Sequence, residues 1–157
     1  MRGNEKVIVL LNAALKEELT AVSQYFLHAE MCGNWGYGRI SQRTKKRAID
    51  EMKHAEALIE RLLFLEGTPQ MAELLPLKVG GSVKPQLEND LAAELAAIAM
   101  YNASANACAA AGDNGSKELF EKLLADEEGH AEWLETQLGL IEQLGLENYL
   151  SQQLEAA

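Results

Sequence analysis

Residues 50–56 read DEMKHAE and residues 126–132 read DEEGHAE. Five of the seven letters agree across an offset of 76 residues, in a chain that has only three histidines. Applied to the whole chain, that offset lays Glu18 on Glu94, Tyr25 on Tyr101, Glu51 on Glu127 and His54 on His130. It also sets Leu15, Leu19, Ala21, Cys32, Gly36, Leu58 and Leu62 on identical residues. The first half of the chain is therefore expected to be a structural copy of the second.

Each half reads as a pair of helices. Val7, Leu10, Leu11, Leu15, Leu19, Val22 and Phe26 recur at helical spacing and predict a first helix over about 5–32. The string GNWGYG (33–38) interrupts that pattern and reads as a turn, since its glycines lack phosphate-loop spacing and no strand precedes them. A second helix is expected over about 40–65, closed by Gly67 and Pro69. Residues 66–82, with two prolines and three glycines, are far longer than a helical hairpin needs. A third helix over about 84–111, the turn GDNG (112–115), a fourth helix over about 116–144 and a short fifth over about 146–153 complete the chain. Short, long and short connections predict an all-α four-helix bundle with one long crossover and a short C-terminal helix, in a single domain over 1–157.

Composition narrows the function. Fourteen basic against 24 acidic residues leave a formal charge of -10, which argues against nucleic-acid partners and favours attraction of cations. Cys32 and Cys108 are too few for a disulfide framework and read as reduced, packed thiols. No apolar run has the length of a membrane span, and the N-terminal residues lack a small-residue cleavage site, so no membrane partner and a cytoplasmic setting are expected.

The repeated residues carry chemistry. Glu51 and His54 are three apart and share a helical face, as do Glu127 and His130. Tyr25 follows Glu18 by two turns on one face, and Tyr101 follows Glu94 in the same way. Leu11, Leu15 and Val22 surround Glu18 on its face, and Leu87, Leu91 and Ile98 surround Glu94, so these carboxylates point at a core. Four ionised carboxylates in a dry interior would cost many kcal/mol unless cations compensated them. Two lone glutamates plus two Glu-x-x-His pairs are the ligand set of di-iron and di-manganese bundles, and oxygen and nitrogen donors without thiolate suit Fe(II) or Mn(II) better than structural zinc. The expected ligands are Glu18, Glu51, His54, Glu94, Glu127 and His130. One Glu-x-x-His alone would more simply be a solvated helix face; two copies with two placed glutamates are not.

With those residues in hand, the chain resembles the bacterioferritins along essentially its whole length. ELTAVSQYFLH (18–28), NWG (34–36), IDEMKHAEALIERLLFLEG (49–67), DEEGHAEWLETQL (126–138) and GLENYL (145–150) follow that family's order and spacing. The resemblance implies a ferritin-like fold and iron storage in a hollow 24-subunit cage built from two-fold dimers. It implies a ferroxidase that passes electrons from Fe(II) to O2 or H2O2 at a di-iron centre inside each subunit. By that likeness Glu18, Glu51 and His54 serve one iron, Glu94, Glu127 and His130 the other, and Glu51 and Glu127 bridge. It further implies haem b shared between two subunits with Met52 of each as axial ligand, and electron delivery for iron release by a small ferredoxin. Met52 lies about 100° around the helix from Glu51, beside an apolar stripe of Leu19, Val22 and Phe26, which suits an interface, although on the residues alone a methionine packed in an ordinary helix contact is the commoner case. Where many members carry Tyr-His, this chain has Lys45-Lys46, so no auxiliary cavity-side iron site is assigned although Asp50 remains.

Tyr25, on the ligand face, could hydrogen-bond a ligand or give up an electron during oxygen chemistry; a buried tyrosine bonded to a glutamate just outside the ligand set is the expectation. His28 is expected as a polar or interface residue, Trp35 and Trp133 as packing residues, and Arg39, Arg43, Lys45, Lys46 and Arg47 as a solvated basic face. Two competing readings stay open on the residues alone. One is a di-iron oxygenase or peroxide reductase, which would need a substrate pocket; the other is a haem-bearing structural or electron-transfer subunit whose metal site is idle.

Overall fold

In the computed structural model, which describes residues 1–154, α1 spans Glu5–Asn34, α2 Gly38–Phe64, α3 Val83–Ala110, α4 Asn114–Leu144 and α5 Leu146–Ser151. Helices α1 and α2 pack as one pair and α3 and α4 as the other, and the pairs meet along α1–α3 and α2–α4. This is the all-α, one-crossover bundle that the repeat predicts.

The helix ends follow from local chemistry. The Asn4 side chain accepts from the N–H groups of Lys6 and Val7 at 2.8 and 3.4 Å and caps α1. The ends of α1 and α3 are copies of each other. Gly36 and Gly112 take positive φ (92° and 76°), and the next N–H donates back to Cys32 O and Cys108 O respectively, each at 2.9 Å. Helix α4 starts at Asn114, ahead of the expected 116, because the Asp113 side chain caps it by accepting from Ser116 N at 2.9 Å. Helix α5 stops at Ser151 rather than 153, where Gln152 and Gln153 donate to the carbonyls of Tyr149 and Leu150 in a tightened last turn.

The long crossover is tied to one face of α1 by side chains spaced four residues apart. Asn12 donates to Thr68 O (3.1 Å) and accepts from Gln70 N (2.9 Å). Lys16 pairs with Glu73 at 3.5 Å, Thr20 accepts from Leu75 N at 2.9 Å, and Gln24 accepts from Lys78 N at 3.0 Å. His28 Nε2 accepts from Gly80 N at 3.1 Å. The crossover therefore travels from the start of α1 towards its end and sets α3 antiparallel to α1. Gly80 is required here, because a Cβ on it would lie 2.4 Å from Gln86 N. His28, expected as a polar or interface residue, is buried and hydrogen-bonded inside the subunit.

Apolar side chains form two main clusters. The larger holds Leu11, Leu15, Leu58, Leu62, Tyr101, Phe120 and Leu123; the other centres on Cys32, Ile40, Leu87, Leu134 and Tyr149. Burying a leucine or phenylalanine of this kind contributes about 1.5–3 kcal/mol. On each long helix the expected metal ligands fall between these clusters, so the apolar layers on either side hold a polar layer in place.

Candidate metal centre

The polar layer is built by all four long helices. Glu18 comes from α1, Glu51 and His54 from α2, Glu94 from α3, and Glu127 and His130 from α4, and all six are buried. One helical turn separates each glutamate of α2 and α4 from its histidine, which brings both side chains to the bundle axis. Two overlapping groups of ligand atoms result, each with its atoms within 4.8 Å of one another. The first is Glu18, Glu51, His54 and Glu127; the second is Glu51, Glu94, Glu127 and His130. His54 Nδ1 lies 2.9 Å from Glu127, 3.5 Å from Glu18 and 3.6 Å from Glu51. His130 Nδ1 lies 3.1 Å from Glu51, 3.4 Å from Glu94 and 3.8 Å from Glu127. Glu51 and Glu127 belong to both groups and stand between them.

The halves orient each other's ligands. Tyr25 of α1 donates to Glu94 Oε1 of α3 at 2.8 Å, and Tyr101 of α3 donates to Glu18 Oε1 of α1. His54 Nε2 is held by Asp126 at 2.9 Å, and His130 Nε2 by Asp50 at 3.2 Å. A carboxylate only accepts, so each Nε2 carries the hydrogen and each Nδ1 is turned inward.

The inward atoms lack partners. Glu18 Oε2, Glu51 Oε1, His54 Nδ1, Glu94 Oε2, Glu127 Oε1 and His130 Nδ1 are buried and have no hydrogen bond of proper geometry. Buried polar atoms are ordinarily satisfied. Six that converge on two points, with their opposite edges fixed by outer hydrogen bonds, are what two bound cations require. The donor set therefore fits two divalent metal ions, whose charge would match four carboxylates.

In the metal-free protein, protons take over part of that role. Burial, then repulsion from Glu18 and Glu127, pushes Glu51 well above the ordinary carboxylate range. Glu94 is raised to about 7, chiefly by burial. Burial acts against a charge on His54, but its contacts with Glu127 and Glu18 prevail and raise it to about 11. His130 is raised in the same way, with Glu94 opposing the effect of burial. Glu127 is held below its ordinary value: burial would raise it, and its close contacts with Glu94 and His54 outweigh that. Tyr25 and Tyr101 are pushed well above the usual phenol value by burial and then by Glu94 and Glu18 respectively, so both remain hydrogen-bond donors.

Tyr25 is buried on the ligand face as expected, but its partner is Glu94, a member of the ligand set from the opposite half, and not a glutamate outside it. Met52 is separate from the centre, on the outer side of α2 at 55% exposure, with Ile49 and Phe26 also exposed. Asp50, Tyr101 and Asp126 are orienting groups not assigned from sequence, although each lies in the repeat. Arg47 overturns its expected place on a solvated face: it is 1% exposed and paired with Asp90 at 3.3 Å. Asp90 also accepts from Gln24 at 2.9 Å and is 2.9 Å from His28 Nδ1. The sequence-level signal was position, since Arg47 lies four residues before Glu51 on the inward face of α2.

Known proteins share this pattern. A profile described as a ferritin-like domain matches residues 8–144. The chain is 44% identical over 149 residues to a bacterioferritin of Rhodobacter capsulatus, covering 95% of this chain and 92% of the relative. It is 48% identical over 149 residues to a bacterioferritin of Brucella melitensis, with the same coverage. A bacterioferritin of Mycobacterium avium is 41% identical over 152 residues, covering 97% of this chain and 96% of that one.

Proposed function

The chain belongs to the bacterioferritins, and from that premise we propose how its residues divide the work of oxidising and storing iron. Members of this family are iron-storage proteins with ferroxidase activity, and that is this chain's function. The observation that carries the residue assignment is the convergence of six unpartnered buried ligand atoms on two overlapping groups. In this reading Glu18 and His54 hold one iron, Glu94 and His130 hold the other, and Glu51 and Glu127 bridge.

Bound there, Fe(II) supplies the electrons that reduce O2 or H2O2. The side chains do the remaining work. The four carboxylates offset the charge of two cations, and their Nδ1 neighbours complete each donor set. Asp126 and Asp50 fix the imidazole edges, so that Nδ1 presents a lone pair without rotating. Tyr101 and Tyr25 each hold one oxygen of Glu18 and Glu94 and leave the other free. Iron arrival must displace the protons that burial puts on Glu51 and Glu94 and the proton that Glu127 and Glu18 keep on His54, so loading releases protons.

Haem b is part of the proposal. All three histidines are buried and engaged, whereas Met52 is exposed, as are the apolar Ile49 and Phe26. Met52 of two chains would ligate the iron across a two-fold axis. Lys45 Nζ lies 5.6 Å over the Phe26 ring, so a cation borders this apolar face. A homo-oligomeric cage of 24 chains, a small ferredoxin as electron donor, and a cytoplasmic setting complete the reading. The last is supported by two buried, unpaired cysteines in separate clusters. No helix among the described residues is long and apolar enough to cross a membrane.

The deciding experiment is Fe(II) oxidation followed by stopped-flow absorption in the parent protein and in Glu18→Ala and His130→Ala. Loss of the fast phase in both variants is expected. Unchanged oxidation would mean an idle centre. Size-exclusion chromatography with a Soret-region spectrum tests cage and haem together.

A further inference from the structure

The offset of 76 residues that superimposes the ligands fails for the residues packed around them. On α4, Phe120 lies 5.7 Å from Tyr101, ring centre to ring centre, and shares the large apolar cluster with Tyr101 and Leu123. The matching residues on α2 are Thr44 and Arg47. The Arg47 guanidinium lies 4.2 Å over the ring of Tyr25. Its Nη1 donates to Asp90 Oδ2 at 3.3 Å, while Nη2 stands 3.7 Å from Glu94 Oε1 and has no hydrogen-bond partner. Asp90 is matched in the other half by Ala14, so the buried ion pair has no counterpart there. A guanidinium is not deprotonated in a protein, so the cation persists beside Asp90 and Glu94.

A guanidinium has no lone pair to offer a metal. Asp90 pairs with Nη1, which leaves the unpartnered Nη2 end of the guanidinium facing Glu94. In a buried layer a few ångströms of separation between the two ends are not screened away. Tyr25 and Arg47 both approach Glu94 Oε1, so only Oε2 is left free for a cation.

We propose that Arg47 makes the two halves of the metal centre unequal, weakening divalent-cation binding at the Glu94–His130 half so that the Glu18–His54 half fills first. This rests on the assignment of the six ligands made above. Arg47 is a positioning residue: it touches no metal and acts through Glu94 and the local field.

The test is anomalous diffraction from crystals of full-length, metal-stripped protein given one Co(II) per chain. Any second cation binds more weakly beside the first, so the readout is where the first one sits. Occupancy at Glu18–His54 should exceed that at Glu94–His130 by roughly tenfold. Arg47→Lys, which keeps the charge, should retain the preference. Arg47→Met combined with Asp90→Asn, which removes both charges, should bring the occupancies to within about twofold. Equal filling in the parent protein, a reversed preference, or a preference that survives in the neutral pair would overturn the proposal. If the neutral pair does not fold, the parent and Arg47→Lys occupancies decide. Co(II) at neither half would overturn the ligand assignment itself, an outcome distinct from equal filling.

Discussion

Glu94→Gln separates what the centre costs the fold from what it does for metal. Glu94 is fully buried, and burial lifts its pKa from the ordinary 4.5 to about 7 in the metal-free protein. At about 1.4 kcal/mol for each tenfold change in proton affinity, ionising this carboxyl destabilises the folded state by about 3 kcal/mol. Below pH 4.5 the group is protonated whether folded or unfolded, and the penalty is absent. It grows as pH rises from 4.5 towards 7 and is complete above that. Glutamine keeps an oxygen for the Tyr25 hydroxyl and carries no charge to bury. Metal-stripped Glu94→Gln should therefore melt higher than the parent near pH 8, by about 5–10 °C, and nearly level with it near pH 5. Excess Co(II) should reverse the order, because only the parent keeps the full ligand set. Thermal melts by circular dichroism read both effects. A variant that is less stable than the metal-free parent near pH 8, or a gap that does not change with pH, would refute the reasoning.

Asp126→Asn and Asp50→Asn should each weaken Co(II) binding by about 10–100-fold, as measured by calorimetry, because each loosens a histidine that its carboxylate orients. The effect should be smaller for Asp126, whose side chain is the more exposed. Phe120→Ala should cost about 3–5 kcal/mol in denaturant unfolding, since it opens a cavity beside Tyr101 in the large apolar cluster. Met52→Leu should abolish the Soret band of haem-loaded protein while Co(II) binding at the buried centre is unchanged, since Met52 faces away from that centre.

The architecture was legible because the chain writes it twice. The repeat marks the four helices, the glycine-terminated ends at Gly36 and Gly112, and every residue of the two ligand groups. Spacing put Glu51 with His54 and Glu127 with His130 on shared faces, and the structure brings both pairs together with Glu18 and Glu94. The partners of Tyr25 and of the aspartates were not legible, since periodicity orders residues along one helix and says nothing of the register between helices. Antiparallel packing gives Tyr25 to Glu94 and Asp50 to His130, across the halves rather than within them. Arg47 was misread because it stands in a run of basic residues, and a charge in such a run normally remains solvated. Asp90, buried on α3 diagonally across the bundle, gives it a partner inside. The partner of His28 was not legible for a related reason: Gly80 belongs to a crossover whose path the helical pattern does not determine.

The central claim is that buried Glu18, Glu51, His54, Glu94, Glu127 and His130 hold two irons within one subunit. Crystals soaked anaerobically in ferrous salt, with diffraction recorded at the iron absorption edge, test it most directly. Two anomalous peaks between the α1–α2 and α3–α4 pairs, flanked by Glu51 and Glu127, are predicted. Glutamates turned out into solvent, with no anomalous peak in the bundle, would contradict it.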